Sequence, residues 1–550
     1  MPSTRRQPQR APSFSHIYNS DVIESPLSDT PLSDFLSPFR PASTQWVARY
    51  TFISFALILR LAVGLGPYSG YKIEPMHGDF EAQRHWLEIT NHLPIKDWYF
   101  FDLQWWGLDY PPLTAYHSWL LGFIGKLINP RWFELNASRG LDDYDLKSYM
   151  RATALFSELA IYIPAVISYV RWVSKQRGVY PIAQSLSAAA ILFQPALILI
   201  DHGHFQYNSV MLGLALLAIV NLQYKKNLTA CFFFVAALMF KQMALYYAPV
   251  IFAYLLGVCV FPKIDIWRLV TIGLATVSSF VVLLAPLLVF GGVATLQQMV
   301  VRIFPFSRGL WEDKVANVWC TANTFIKLKY MFTNEELQRL SLIATLAAIA
   351  PAMLIIFLRP KRHLLPWAFA SCSWAFYLFS FQVHEKSVLL PLMPTTLLIA
   401  SQPASSHPRG QSKKSCNSLP LIFWINNVAM FSMWPLLQRE GLQLQYFVMT
   451  LCWNWLVGNF NFLTHEHKLQ TYLLPSSGFF WRSVLVLSYA AMAFYHAVEL
   501  LLPAPAKYPD IYPVANITIS CGCFGLFWLY TLYKLYSLSS QPEPKPRKSK

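Results

Sequence analysis

The residues best suited to chemistry lie in one short run, Glu74-Pro75-Met76-His77-Gly78-Asp79-Phe80-Glu81-Ala82-Gln83-Arg84-His85-Trp86, which continues to Thr90. It puts carboxylates, imidazoles and an arginine into a single segment immediately after an apolar stretch. A second dense piece follows, Trp105-Trp106-Gly107-Leu108-Asp109-Tyr110-Pro111-Pro112, with Tyr116, His117 and Trp119 close behind. Polar groups set among aromatic rings suit a sugar site at a membrane surface. Three later clusters add charge: Asp201 to Asn208 with His202 and His204, Phe304 to Lys314 with Arg308, Glu312 and Asp313, and Gln382-Val383-His384-Glu385-Lys386.

The elements that must position these residues are membrane helices. Of the 550 residues, 55% are hydrophobic, 16% aromatic and only 13% charged, the composition of an all-α polytopic membrane protein. Most of the formal +16 charge sits in short connections between apolar runs, where it reads as a topology signal and not as a nucleic-acid surface. The eight cysteines are scattered, and Cys521-Gly522-Cys523 lacks the second pair that a zinc site needs. No Gly-x-x-x-x-Gly-Lys loop and no glycine fingerprint of a dinucleotide fold is present, which argues against a nucleotide-sugar donor.

Residues 1–45, rich in Ser, Pro and Arg, are expected to form a disordered cytosolic arm. Residues 46–535 are expected to form one membrane domain, with a long lumenal loop at 67–150 and a flexible cytosolic loop at 402–418. A basic cytosolic tail at 536–550 completes the expected organisation. The candidate spans are 46–65, 152–173, 182–200, 208–223, 228–247, 249–261, 269–290, 341–358, 364–381, 387–400, 419–437, 443–462, 480–499 and 514–534, about fourteen in all. Placing the N-terminal arm inside puts Lys and Arg on alternate connections, as the positive-inside rule demands. Two further apolar stretches, 113–128 and 315–332, break this alternation if they cross, so both are expected to be interfacial or re-entrant helices on the far side. Every polar cluster then falls on that side. Asn136-Ala137-Ser138, a glycosylation acceptor pattern, falls there too.

Gly78-Asp79-Phe80-Glu81-Ala82-Gln83-Arg84-His85-Trp86, His92-Leu93-Pro94, Trp105 to Pro112, Glu312-Asp313-Lys314-Val315-Ala316-Asn317 and Val383-His384-Glu385-Lys386 together resemble the endoplasmic-reticulum dolichyl-phosphate-glucose α-1,3-glucosyltransferases. The similarity runs from the first span to the last. The Gly-Asp-Phe-Glu-Ala-Gln form is similar to the branch that adds the first glucose to the nine-mannose lipid-linked oligosaccharide; the branch adding the second glucose diverges there. The resemblance implies a GT-C fold whose long first lumenal loop carries the catalytic acid. It also implies a dolichyl-phosphate-glucose donor, a dolichyl-pyrophosphate oligosaccharide acceptor, inversion at the anomeric centre and no metal or other cofactor.

Single-displacement inversion needs one carboxylate to take the proton of the attacking hydroxyl. Asp79 has two readings on its own residues: that base, or an N-cap for the helix-prone stretch behind it. The resemblance favours the base, with Glu81 as a helper or a first-turn acid. The departing phosphate needs cations, for which Arg308, Lys314, His384 and Lys386 are candidates. The acids beside them, Asp313 and Glu385, join Arg84, Asp109 and Tyr110 as further substrate-binding candidates. Asp109 also reads as a cap before Pro111-Pro112, and Asp143-Tyr144-Asp145 as a solvated loop rather than a metal site. Glu158 and Lys241, ionisable groups inside predicted spans, read as site residues or a buried structural pair. A secondary transporter or lipid flippase is the alternative from another class. The first loop, long and carboxylate-rich with no matching segment in the second half, argues against the paired halves that transporters often show.

Overall fold

The computed structural model describes residues 25–28, 30–41, 44–177, 181–304, 314–402, 418–460, 472–475 and 478–543. Helices build all of it, and no strand occurs among the described residues. Each of the fourteen predicted apolar stretches coincides with helix, and so do 113–128 (Pro112–Ile128) and 315–332 (Val318–Ile326 and Leu328–Met331). Among the described residues, seven helices are long and apolar enough to cross a bilayer, or eight if the bent pair Ile182–Leu192 and Pro195–Phe205 forms one span. The remaining stretches are short or interrupted, and the interruptions fall on polar residues. The helix Asn227–Phe240 ends at Lys241, whose extended backbone (φ −143°, ψ 127°) separates it from the turn Gln242–Tyr247.

Burial sorts the helices. Leu365–Phe379 and Leu419–Ser432 are buried on nearly every side and form the centre of the bundle. The 38-residue helix Ile266–Ile303 instead leaves Val277, Val281, Leu288, Val289 and Phe290 exposed, a face that only lipid can cover. This helix overshoots the predicted 269–290 because Gly292 adopts φ 77° and lets the chain jog and continue. Its last turns then reach the aromatic loop: Thr295 Oγ1 donates to the Lys96 carbonyl at 3.1 Å, and Arg302 donates to the Gly107 carbonyl at 2.9 Å. Pro112–Ile128 packs on the helix Asp79–His92 and leaves Trp119, Phe123 and Leu127 exposed, the face an interfacial helix requires.

Part of the stretch expected to be a disordered arm is folded, while residues 1–24 lie outside the described residues. Pro31–Phe35 is helical, capped by Thr30, and Leu27, Leu32 and Leu36 are fully buried in the main core. Composition concealed this because three leucines among many Ser and Pro residues leave the average polar. Most of the loop at 402–418 lies outside the described residues.

Glu158 belongs to the structural reading. Its carboxylate takes both Nε and Nη2 of Arg60 at 2.7 and 2.6 Å and stands 2.6 Å from His202 Nε2, all three side chains being buried. The pair ties the helix Gln45–Gly64 to Tyr144–Ala160 and to the bent segment. Removing one partner strands the other charge, so Glu158→Leu is expected to cost about 3–5 kcal/mol, while Arg60→Met/Glu158→Leu regains most of it. Thermal midpoints of the purified protein test this; a double variant no more stable than the single one would show the pair is not what matters.

Candidate active site

The site forms where two loops and two helix breaks meet. Gly70 (φ 74°) and Gly78 let their loop segments touch: a Cβ on Gly78 would stand 2.5 Å from Ser69 Oγ and 2.6 Å from the Gly70 nitrogen. Ser69 is pinned from the other side, its N–H donating to the His204 carbonyl at 2.9 Å, and its Oγ accepts from the Asp79 N–H at 3.2 Å. The helix Asp79–His92 therefore begins against the bent segment, with Gly78 as its N-cap. Asp79 is the first helical residue, not the cap, and its side chain is free to leave the helix.

It turns toward three donors that converge on one oxygen. Asp79 Oδ2 lies 2.9 Å from His204 Nε2, accepts from Gln206 Nε2 at 2.5 Å and pairs with Lys386 Nζ. Oδ1 takes no hydrogen bond among the described residues, and the side chain keeps 24% of its exposure. His204 bridges onward, its Nδ1 being 2.6 Å from Glu440 Oε1, so one imidazole stands between two carboxylates. Gln206 in turn accepts from Lys241 Nζ at 2.8 Å, and Lys241 also donates to Asn208 Oδ1 at 2.9 Å and lies 4.8 Å above the Tyr110 ring. Burial alone would raise the Asp79 carboxyl. The charge of Lys386, followed by the hydrogen bond and charge of His204, outweighs it and holds the carboxyl well below the usual range.

Other predicted residues divide clearly. Tyr110 joins the site, its phenol raised well above the usual range by burial and then by Asp109 and Asp79. Asp109 thereby also lies within electrostatic reach, and it caps nothing, since the helix there starts at Pro112 behind Pro111. Glu385 pairs with Arg439 at 3.0 Å beside Glu440, and the His384 N–H reaches Ser387 Oγ at 3.4 Å in the turn that presents Lys386. Glu81 and Arg84 do not join the site. Arg84, fully buried, takes Glu81 at 2.7 Å, Glu88 at 2.7 Å and Ser138 Oγ at 2.6 Å, because spacings of three and four residues align them on one helix face. This network holds Glu88 down to about 2: burial raises it, but His85, Arg84 and the Asn136 N–H prevail. Lys314 is exposed and pairs with Asp510. Arg308 and Asp313 lie outside the described residues. Asp143 caps the helix Tyr144–Ala160, accepting from the Asp145 and Leu146 N–H groups at 2.7 and 2.9 Å, so its pattern is a helix start.

Sequence reasoning singled out the Asp201–Asn208 cluster without giving His204 or Gln206 a role. It missed Glu440 entirely; the only local signal was an acid beside Arg439 in a short connection expected on the lumenal side.

A glycosyltransferase family model, "ALG6, ALG8 glycosyltransferase family", matches residues 56–530. The chain belongs to this family. It is 49% identical over 518 residues to the Saccharomyces cerevisiae dolichyl pyrophosphate Man9GlcNAc2 alpha-1,3-glucosyltransferase, spanning 90% of this chain and 93% of that protein. The Gallus gallus and Mus musculus proteins of the same name are 38% and 37% identical, each over 87% of this chain and 94% of their own length. Membership in a glycosyltransferase family sets the transporter reading aside.

The depressed Asp79 carboxyl has a definite sign. Its interactions stabilise the fold above the ordinary carboxylate range and are lost as pH falls through the lower folded value. In the free enzyme the same carboxylate stays ionised well into acid. Lys386→Met removes the leading charge that lowers it, so the acid limb of kcat/KM moves toward neutral pH. Wild-type and variant profiles with the same acid limb would separate Lys386 from the ionisation of Asp79.

Proposed function

We propose that this chain transfers glucose from dolichyl-phosphate-glucose, in α-1,3 linkage and with inversion, to the terminal mannose of dolichyl-pyrophosphate-linked Man9GlcNAc2. The observation that carries this reading is the Asp79 carboxylate, with Oδ2 anchored by three donors and Oδ1 left open. The relatives' names carry the acceptor and the α-1,3-glucosyl linkage, and the dolichyl-phosphate-glucose donor is the one the family resemblance implies.

In the reaction the acceptor hydroxyl oxygen attacks the anomeric carbon while Asp79 Oδ1 takes the hydroxyl proton. The bond from that carbon to the phosphate oxygen breaks, and dolichyl phosphate leaves with the electron pair. His204 and Gln206 on Oδ2 keep the carboxylate's orientation even after Lys386 moves, so Oδ1 needs no rearrangement to receive the proton. A carboxylate held this far down is nonetheless a weak base. Lys386 resolves the conflict by exchanging Asp79 Oδ2 for the donor phosphate: the phosphate gains a cation, and Asp79 regains basicity only when donor is present. His384, two residues before Lys386, lies on the same turn and serves the same phosphate. Lys241, fixed by Gln206 and Asn208 over Tyr110, adds positive potential behind the carboxylate.

The site faces the lumen of the endoplasmic reticulum and both termini face the cytosol, a reading that the alternation of Lys and Arg supports. The exposed Ala137 lies on the site's loop, and the exposed Lys226 in a basic connection. A cysteine at position 137 should be labelled in microsomes only after permeabilisation, and one at position 226 without it. Labelling of both from one side would overturn the topology.

Purified protein supplied with donor and lipid-linked acceptor should add one hexose by mass. Asp79→Asn keeps the side-chain shape but cannot take a proton, so turnover should fall about 10²–10⁴-fold, and the thermal midpoint should fall as well because Lys386 and His204 lose the charge they pair with. A well-folded Asp79→Asn protein working at near wild-type speed would end the assignment.

A further inference from the structure

Away from Asp79, a cavity of about 340 Å³ opens between the helices Gln45–Gly64 and Tyr144–Ala160. Its walls are ordered from polar to apolar. At the end near Asp79 stand Lys147 and Arg151, one turn apart on the same helix; deeper in, Leu57 and Leu61 face Leu155, Phe156 and Leu159. The helices run in opposite directions, so both walls turn apolar together, over roughly 12 Å from Arg151 to Leu159 at 1.5 Å per residue. Leu61 and Phe156 are more than half exposed, which opens the cavity sideways to the surrounding lipid.

The two cations are hydrogen-bonded by backbone carbonyls and lie over aromatic rings, Lys147 over Tyr68 at 5.8 Å and Arg151 over Phe205 at 5.6 Å. Lys147 Nζ donates to the Gly66 carbonyl at 2.8 Å and the Leu65 carbonyl at 3.3 Å. Arg151 donates to the carbonyls of Gly203 at 2.7 Å, Pro67 at 3.2 Å and His202. Neither forms an ion pair among the described residues, and Arg151 Nε, on a side chain more than nine-tenths buried, has no hydrogen-bond partner there. Arg60, the third cation on the wall, is by contrast matched by Glu158. Two positive charges without an ion-pair partner among the described residues, at the head of an apolar slot open to lipid, fit a lipid that carries two negative charges on its head.

We infer that this cavity binds the polyprenyl pyrophosphate of the acceptor, with Lys147 and Arg151 on the pyrophosphate and the first isoprene units between Leu57, Leu61, Leu155 and Phe156. The inference rests on the proposed glucosyl transfer. The donor is poorly suited to the cavity, because its single phosphate adjoins the reacting carbon and must lie beside Asp79 and Lys386, whereas the cavity is on the other side of the His202–His204 segment. The acceptor's pyrophosphate is separated from the reacting mannose by several sugars, so it can be held at this remove while the glycan folds back to Asp79. Arg151 links the two places: it grips the carbonyls of His202 and Gly203, and the next residue, His204, meets Asp79.

The test uses the full-length protein in lipid nanodiscs with lipid-linked Man9GlcNAc2 and dolichyl-phosphate-glucose. Wild-type transfer comes first, since its failure would remove the proposed function and leave the cavity unaddressed. Lys147→Gln should then raise the acceptor KM about tenfold, the loss of one charge-assisted contact, and leave the donor KM unchanged. Leu155→Trp, which fills the apolar part without touching a charge, should raise the same constant, and both variants are checked for unchanged thermal midpoints. With lipid-free Man9GlcNAc2 as acceptor, wild type and variants should converge. A rise in the donor KM instead would assign the cavity to the donor, and an unchanged acceptor KM in both variants would leave it to bulk lipid; either result overturns the inference.

Discussion

The structure depends on one arrangement of charge: a carboxylate, Asp79, held between Lys386 and a histidine that is itself shared with a second carboxylate, Glu440. Four segments far apart in sequence are needed to assemble it. Asp79 and His204 are 125 residues apart, and Asp79 and Lys386 are 307. Two acids and two bases brought together in this way nearly neutralise one another, which makes their burial affordable beside an apolar bundle. The same balance explains why none of them can be read alone: the basicity of Asp79 is set by where Lys386 is.

The breaks in the helices follow from that requirement. A continuous helix satisfies its own backbone and presents side chains only sideways, whereas a broken one presents carbonyls and end-on side chains to a cavity. The bent segment ending at Phe205 (φ 86°) supplies His204 and Gln206 to Asp79 and frees the carbonyls of His202 and Gly203 for Arg151. The break at Lys241 lets its ammonium reach Gln206 and Asn208. Each interruption shortens an apolar helix below the length that crosses a bilayer, so the interruptions that build the site are also the ones that hide spans from a count by length.

This sets what the sequence could reveal. Apolar stretches were legible throughout, because hydropathy is a local property and each predicted stretch is helical. Asp79 and Lys386 stood out as charged residues of the clusters between spans, and for Asp79 it was the family resemblance, not the residues alone, that favoured the base over the N-cap. Glu81 and Arg84 were assigned to substrate although their three- and four-residue spacing with Glu88 already describes a network within one helix. His204 and Gln206 were visible as a cluster but had no assignable partner, and Glu440, 236 residues from His204, left almost no local trace. The buried leucines at 27, 32 and 36 were masked by polar neighbours.

A donor-dependent base also addresses a hazard intrinsic to this chemistry. A glucosyl phosphate beside a basic carboxylate and open to water invites hydrolysis, since water can be deprotonated as readily as a sugar hydroxyl. While Lys386 sits on Oδ2, Asp79 is a poor base toward water and sugar alike. In the proposed exchange the phosphate draws Lys386 away, and basicity would return when the donor occupies the site and Oδ1 is left for the acceptor to cover. The selectivity for sugar over water would then rest on what fills the space at Oδ1, and Tyr110, whose phenol lies within electrostatic reach of Asp79 and whose ring is 4.8 Å from that of Trp86, offers the aromatic surface nearby.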